Sequence, residues 1–243
     1  TAVTHEARPA AARSSLAPVR VEAAAATEEA AEENLRREGI DPDRIHFVGN
    51  VMIDTLIRNL EKARNLTTLD DMGVEKHGYA LLTLHRPANV DDPKKLRALF
   101  GALEEIHREI PILFPVHPRT AAAIEAQLGG AKPALRITEP LGYLHFLRLM
   151  ADAKVVLTDS GGIQEETTAL GVSCLTLRKN TERPITVTEG TNTIVGTEPE
   201  AIISEARKIL NGNHKKGRIP ELWDGSTAER VVDVLARDMR SRS

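Results

Sequence analysis

The chain has 243 residues, 41% of them apolar and 28% charged, with a formal net charge of −3, the profile of a globular protein of one large or two small domains. That charge comes without a basic stripe and aromatics make up only 3%, which excludes a nucleic-acid surface built on phosphate contacts and base stacking. No apolar run approaches the roughly 20 residues of a membrane helix; the N-terminus lacks the apolar core of a signal peptide, and the single Cys174 reads as a core residue of a cytoplasmic protein.

Residues 1 to 20 carry Ala, Pro, Ser and Arg with few large apolar side chains, too little to offset the entropy of ordering, and predict a loose arm. Ala23 to Glu38 is helical in composition, and Gly39 fits its end. Ile45 to Val48 reads as a short strand, Val51 to Leu60 as a helix and Thr67 to Gly78 as a surface loop. A regular alternation follows. Strands are predicted at Tyr79 to Leu84, Ile112 to Val116, Leu135 to Ile137, Lys154 to Leu157, Ser173 to Leu177 and Thr193 to Val195. Between and after them come a helix opened by Asp91-Asp92-Pro93 and helices at Ala121 to Leu128, Leu144 to Ala151, Ile163 to Leu170, Glu198 to Leu210 and Ala228 to Met239. Apolar strands alternating with helices of about ten residues indicate an α/β fold: a parallel sheet with right-handed crossovers.

Ligands of such folds sit beyond the carboxyl ends of the strands. The polar clusters fall there: His85-Arg86, His117-Pro118-Arg119, Asp159-Ser160-Gly161-Gly162, and Arg178 with Thr181-Glu182-Arg183-Pro184. The third cluster carries the most chemistry. A strand, a glycine turn and a helix start form an anion site, because the first N–H groups of the helix lack partners and carry the positive end of its dipole. Ser160 can cap the helix or donate to a phosphate, and Gly161 and Gly162 admit close backbone approach. Glu166 lies four residues beyond Gly162 on the same helix face, where it could accept from both hydroxyls of a ribose. Phosphate at the turn and sugar at the carboxylate would together hold a nucleotide. Neither the P-loop nor the dinucleotide glycine motif occurs, and the Asp159 side chain reads as a turn-former.

V-G-N-V-M-I-D (48–54), T-L-H-R-P-A-N (83–89), F-P-V-H-P-R (114–119), L-T-D-S-G-G-I-Q-E-E (157–166), T-E-R-P (181–184), E-G-T-N (189–192) and I-V-G-T (194–197) occur in this order. The series resembles the non-hydrolysing UDP-N-acetylglucosamine 2-epimerases over roughly residues 27 to 240. The resemblance implies a two-domain, glycosyltransferase-B-like fold of two Rossmann-like halves, with this chain as the nucleotide-binding half. Residues 27–243 would be that domain and 1–26 a loose arm or a remnant of the other half. It implies that Ser160, Gly161, Gly162 and Arg183 hold the diphosphate, Glu166 the ribose, and that Phe146 lies by the uracil. His85 would face the leaving phosphate, and Arg86 and His117 would contact a regulatory UDP-sugar.

The reaction so implied interconverts UDP-N-acetylglucosamine and UDP-N-acetylmannosamine by elimination and re-addition of UDP, without metal or other cofactor. A cytoplasmic homodimer serving cell-surface polysaccharide synthesis is implied with it. The family's proton-transfer carboxylates belong to the other half; Thr4-His5-Glu6-Ala7-Arg8-Pro9 is a faint echo of one such segment and makes Glu6 a candidate base. The alternatives are a UDP-sugar binding module or degenerate paralogue without catalysis, a glycosyltransferase of the same fold, and a hydrolysing relative.

Overall fold

The computed structural model describes residues 23–129 and 133–241, which form two compact units: residues up to 54 together with those from 221 on, and residues 55–220. Most of the arm expected at residues 1–26 lies outside the described residues.

In the first unit, β1 (Ala24–Ala26) and β2 (Ile45–Phe47) pair in parallel, with Ala24 opposite Ile45, joined through α1 (Glu29–Arg37). This corrects the reading of Ala23 to Glu38 as one helix. Alanine favours helix, but here the backbone of Ala24–Ala26 bonds to a neighbouring strand, and pairing overrides propensity. α2 (Val51–Arg64) starts after Asn50, whose side-chain oxygen accepts the Met52 N–H at 3.0 Å. Gly49 sits at φ +89°, and a Cβ there would collide with the Leu222 carbonyl, so only glycine fits.

The second unit opens with the end of α2 and α3 (Thr68–Asp71), a turn of helix inside the stretch expected to be a loop, with Thr68 and Leu69 buried. A parallel sheet follows, built by β3 (Ala80–Thr83), α4 (Pro87–Val90), α5 (Pro93–His107), β4 (Ile112–Pro115), α6 (Pro118–Leu128), β5 (Arg136–Thr138), α7 (Tyr143–Ala151), β6 (Val155–Thr158), α8 (Gly161–Leu170), β7 (Cys174–Thr176), α9 (Pro184–Thr188), β8 (Asn192–Ile194) and α10 (Pro199–Leu210). The strand order is β5-β4-β3-β6-β7-β8. The chain winds outward from β3 to β5, then returns to lay β6 against the free side of β3, with Ala80 opposite Val155 and Thr83 opposite Thr158. That reversal makes the β3/β6 seam the topological switch point.

The period-2 side chains of these strands feed two cores. Ala80, Leu82, Ile112, Phe114, Val155 and Leu157 face α5 and α10, while Leu81, Leu113 and Val156 face α7, α3 and the end of α2. The predicted aspartate start of α5 is real: Asp92 accepts the N–H groups of Lys94 and Lys95 at 2.9 and 3.2 Å.

After the sheet the chain re-enters the first unit with α11 (Thr227–Ser241). Asp54 accepts its first free N–H groups, from Thr227 at 3.1 Å and Ala228 at 2.7 Å, and Arg230 donates to the carbonyls of Val48 and Leu222. α11 leaves Val232, Leu235 and Met239 at least half exposed. No helix among the described residues is long and apolar enough to cross a membrane.

Candidate functional site

The switch point is tied by hydroxyls and one buried carboxylate. At the ends of the paired strands the Thr83 and Thr158 hydroxyls lie 2.6 Å apart, and Thr158 Oγ1 also accepts the Ser160 N–H. The next residue, Asp159, is fully buried. Its carboxylate accepts the backbone N–H of His85 at 3.2 Å and of Arg86 at 2.9 Å, and the Nδ2–H of Asn89 at 3.1 Å. The His85 Nδ1 lies 2.9 Å from the same carboxylate. Asp159 is therefore much more than a turn-former: it fixes the His85-Arg86 loop against the α8 turn. Arg86 closes the link from its side, Nε donating to the Asp159 carbonyl at 3.0 Å.

Ser160 is the N-cap residue of α8, but its side chain makes no cap bond, so of the two roles expected for it the cap is not taken. A Cβ built on Gly161 would meet nothing nearer than 4.0 Å, where Arg183 Cγ and a Glu182 oxygen lie. The protein's own packing thus leaves space above the turn.

Three consecutive residues of α8, all buried, reach three different parts of the site. Gln164 Oε1 accepts from Thr181 Oγ1 at 2.6 Å and from Asn192 Nδ2 at 3.1 Å. Glu165 Oε1 lies 2.9 Å from Arg183 Nε. Glu166 Oε1 accepts from the Tyr143 hydroxyl at 3.4 Å. Burial raises the Glu166 carboxyl to about 7, against a smaller lowering by the Tyr143 hydrogen bond. Burial, with Glu166 nearby, raises the Tyr143 hydroxyl to about 12.

On the far side, Arg178 holds Glu182 through Nη1 and Nη2 at 2.7 and 2.6 Å, and this pairing pulls the Glu182 carboxyl down to about 2. Arg86 Nη1 stands 3.7 Å from the same glutamate. A cavity of about 650 Å³ opens beside Arg86, lined also by Lys94, Lys95, Arg178, Lys179 and Glu198; the α8 turn is not part of its lining.

The structure therefore brings His85, Arg86, Ser160, Gly161, Gly162, Glu166 and Arg183 to one end of the sheet. Phe146 is partly buried on α7, packed against the core, one helical turn from Tyr143 and on its face. His117 caps α6, its Nδ1 accepting the Arg119 N–H at 3.3 Å. Glu6 lies outside the described residues. Tyr143, Asp159, Gln164 and Glu165 were not singled out as site residues. Tyr143 lies three residues before Phe146, a spacing that could have found it. The remaining histidines are structural where they have partners: His107 Nδ1 accepts the Ile112 N–H, and His145 meets the Thr68 hydroxyl at 2.8 Å. Among the described residues no group of three or more His, Cys, Asp or Glu could hold a metal ion.

Residues 21–236 match the family described as UDP-N-acetylglucosamine 2-epimerase. The chain belongs to that family. A UDP-N-acetylglucosamine 2-epimerase of Methanocaldococcus jannaschii is 40% identical over 217 residues, which cover 85% of this chain and 58% of that protein. A UDP-2,3-diacetamido-2,3-dideoxy-D-glucuronate 2-epimerase of Pseudomonas aeruginosa is 35% identical over 84% of this chain and 57% of its own length. Among solved structures, the M. jannaschii epimerase in complex with UDP-GlcNAc and UDP superposes with a TM-score of 0.76 at 38% identity, over 89% of this chain and 61% of that one. The Neisseria meningitidis epimerase bound to UDP-GlcNAc gives a TM-score of 0.76 at 29% identity, over 89% of this chain and 62% of that one. The chain thus spans less than two thirds of the length of these epimerases. Its α/β, Rossmann-like sheet is part of the glycosyltransferase-B-like fold they share.

Proposed function

We propose that this chain is the UDP-binding part of a non-hydrolysing UDP-N-acetylglucosamine 2-epimerase. The observation that carries the reading is the open α8 turn at the β3/β6 switch point, flanked by the Arg183 guanidinium and the Glu166 carboxylate. In this reading the diphosphate sits on the N–H groups at Gly161 and Gly162, with Ser160 donating its uncommitted hydroxyl and Arg183 supplying charge. Glu166 accepts from the ribose hydroxyls, and Phe146 lies beside the uracil. His85, anchored through Nδ1 to Asp159, presents its other ring nitrogen to the leaving phosphate. Arg86 serves a regulatory UDP-sugar together with His117.

The reaction removes the C2 proton of the sugar and breaks the C1–O bond to UDP, giving 2-acetamidoglucal and UDP. UDP then returns to C1 as a proton is delivered to the opposite face of C2. The groups at the turn stabilise UDP as the leaving group. A homodimeric, cytoplasmic assembly in polysaccharide synthesis rests on the family resemblance.

One observation favours a second reading, a UDP-sugar binding module without proton transfer of its own. The carboxylates around the turn are already engaged: Asp159 by His85, Arg86 and Asn89, Glu165 by Arg183, Glu166 by Tyr143 and Glu182 by Arg178. Incubation with UDP-N-acetylglucosamine in deuterated water separates the two. Deuterium entering C2 supports the epimerase, and UDP binding without exchange supports the module. No UDP binding at all refutes both.

A further inference from the structure

We infer that Glu165 is a positioning residue for Arg183, so that adjacent residues of α8, Gln164 and Glu165, hold the arginine beside the anion-binding turn. The inference rests on the proposed UDP site and adds a division of labour within it. Arg183 is fixed at two points. Its backbone N–H donates to Thr181 Oγ1 at 2.9 Å, and that hydroxyl donates to Gln164 Oε1 at 2.6 Å. Its Nε is ion-paired with Glu165 Oε1 at 2.9 Å. The Glu165 side chain is 5% exposed and that of Arg183 is 38% exposed, so a buried anion reaches out to hold a cation at the rim.

The rest of the guanidinium is asymmetrically used. Nη1 donates to the Glu182 carbonyl at 3.3 Å, and Nη2 makes no hydrogen bond to the described residues. Nε meets Glu165 by charge at 2.9 Å without a hydrogen bond, Nη1 has the Glu182 carbonyl, and Nη2 is left to donate to a phosphate oxygen. Arg183 Cγ lies 4.0 Å from the point a Gly161 Cβ would occupy, so the side chain runs alongside the turn. Long side chains lose much rotamer freedom on binding, and an arginine already held by a buried carboxylate has less to lose. Gln164 is itself held: Asn192 donates to it and to Thr186, while accepting from Thr176. The network accounts for T-E-R-P and E-G-T-N together, since Thr181 and Asn192 meet on one glutamine oxygen.

The test is a double-mutant cycle read by calorimetry with UDP, using Glu165→Gln, Arg183→Ala and the pair, together with the 15Nε order parameter of Arg183 in the wild type. Glu165→Gln should weaken UDP about tenfold and should change nothing further in the Arg183→Ala background. The wild-type order parameter should be near that of rigid backbone, about 0.85, rather than below about 0.6. Unchanged UDP affinity in Glu165→Gln, an equal loss with and without Arg183, or a mobile Arg183 in the wild type would each overturn the inference. If Glu165→Gln does not fold, the wild-type order parameter still decides whether Arg183 is held. A wild type that binds no UDP would overturn the functional reading alone, with the order parameter again deciding the status of Arg183.

Discussion

The Asp159 carboxylate, buried at the end of β6, accepts the backbone N–H of Arg86 at 2.9 Å across the line where the sheet reverses direction. It makes the same kind of bond to His85 and a third to the Asn89 side chain. Replacing Asp159 by Ala would strand two backbone donors and an amide in the interior. The expected cost is about 3 kcal/mol, near the upper end of the range for a buried group left without its partner. Urea denaturation checks it, and a loss under about 1 kcal/mol would show that water replaces the carboxylate.

Gly161→Ala separates packing from binding. A methyl group there makes only ordinary contacts in the free protein, at 4.0 Å with Arg183 Cγ and a Glu182 oxygen, and alanine is the better helix residue by up to about 1 kcal/mol. The variant should melt no lower than the wild type yet bind UDP at least about tenfold more weakly, a penalty of roughly 1.4 kcal/mol for obstructed approach to the helix N–H groups. Equal affinity for UDP in melting and calorimetric assays would move the diphosphate away from the turn.

Glu166 should make ligand binding pH-dependent. Its folded-state value near 7 lies above the ordinary 4.5, so the folded protein holds an extra proton between those values. Stability from this group therefore falls as pH rises from about 4.5 to about 7 and is level beyond. A ribose donating two hydrogen bonds prefers the ionised form. Uridine-nucleotide affinity should rise between pH 6 and 8 with release of a proton, and Glu166→Gln should flatten that dependence after correction for ionisation of the phosphate. Inorganic pyrophosphate should bind the variant as it binds the wild type. Equal weakening of both ligands would assign Glu166 to supporting the turn.

The Arg178–Glu182 pair acts in the opposite pH window. Glu182 is held down to about 2 from an ordinary 4.5, so its contribution is fully present above 4.5 and is lost as pH falls toward 2. Arg178→Met should shrink the stability difference between pH 5 and pH 3 measured by chemical denaturation. An unchanged difference would show that the exposed half of this pair is screened by solvent.

Elements whose side chains repeat with a clear period were legible in the sequence. The apolar spacing of α5 and the Asp92 before it gave the helix and its cap, and β3, β4 and β6 showed as apolar runs because both faces of the sheet are covered. Ala24–Ala26 was not legible, since three alanines carry no strand signal until Ile45–Phe47 pairs with them. The site divides along the same line. Gly161, Gly162, Ser160 and Glu166 could be read as candidates from residue type and spacing along the chain, and Arg183 from the family resemblance. Asp159 and Glu165 could not, because their roles depend on partners 73 and 18 residues away that only the fold brings near.

The clasp between Asp54 and α11 joins residues 173 and 174 positions apart in the chain. During synthesis, all of residues 55–220 emerge before α11 can deliver Thr227 and Ala228 to that carboxylate. The sheet unit can complete its own contacts early, whereas the unit holding β1 and β2 must wait, with open strand edges, for α11. Contacts of such span are slow to form, so maturation of the first unit should be the late event in folding. A chain released without residues 221 onward would keep every strand of the six-stranded sheet but lack the helix that caps Asp54, leaving β1 and β2 as the part on which a chaperone would act.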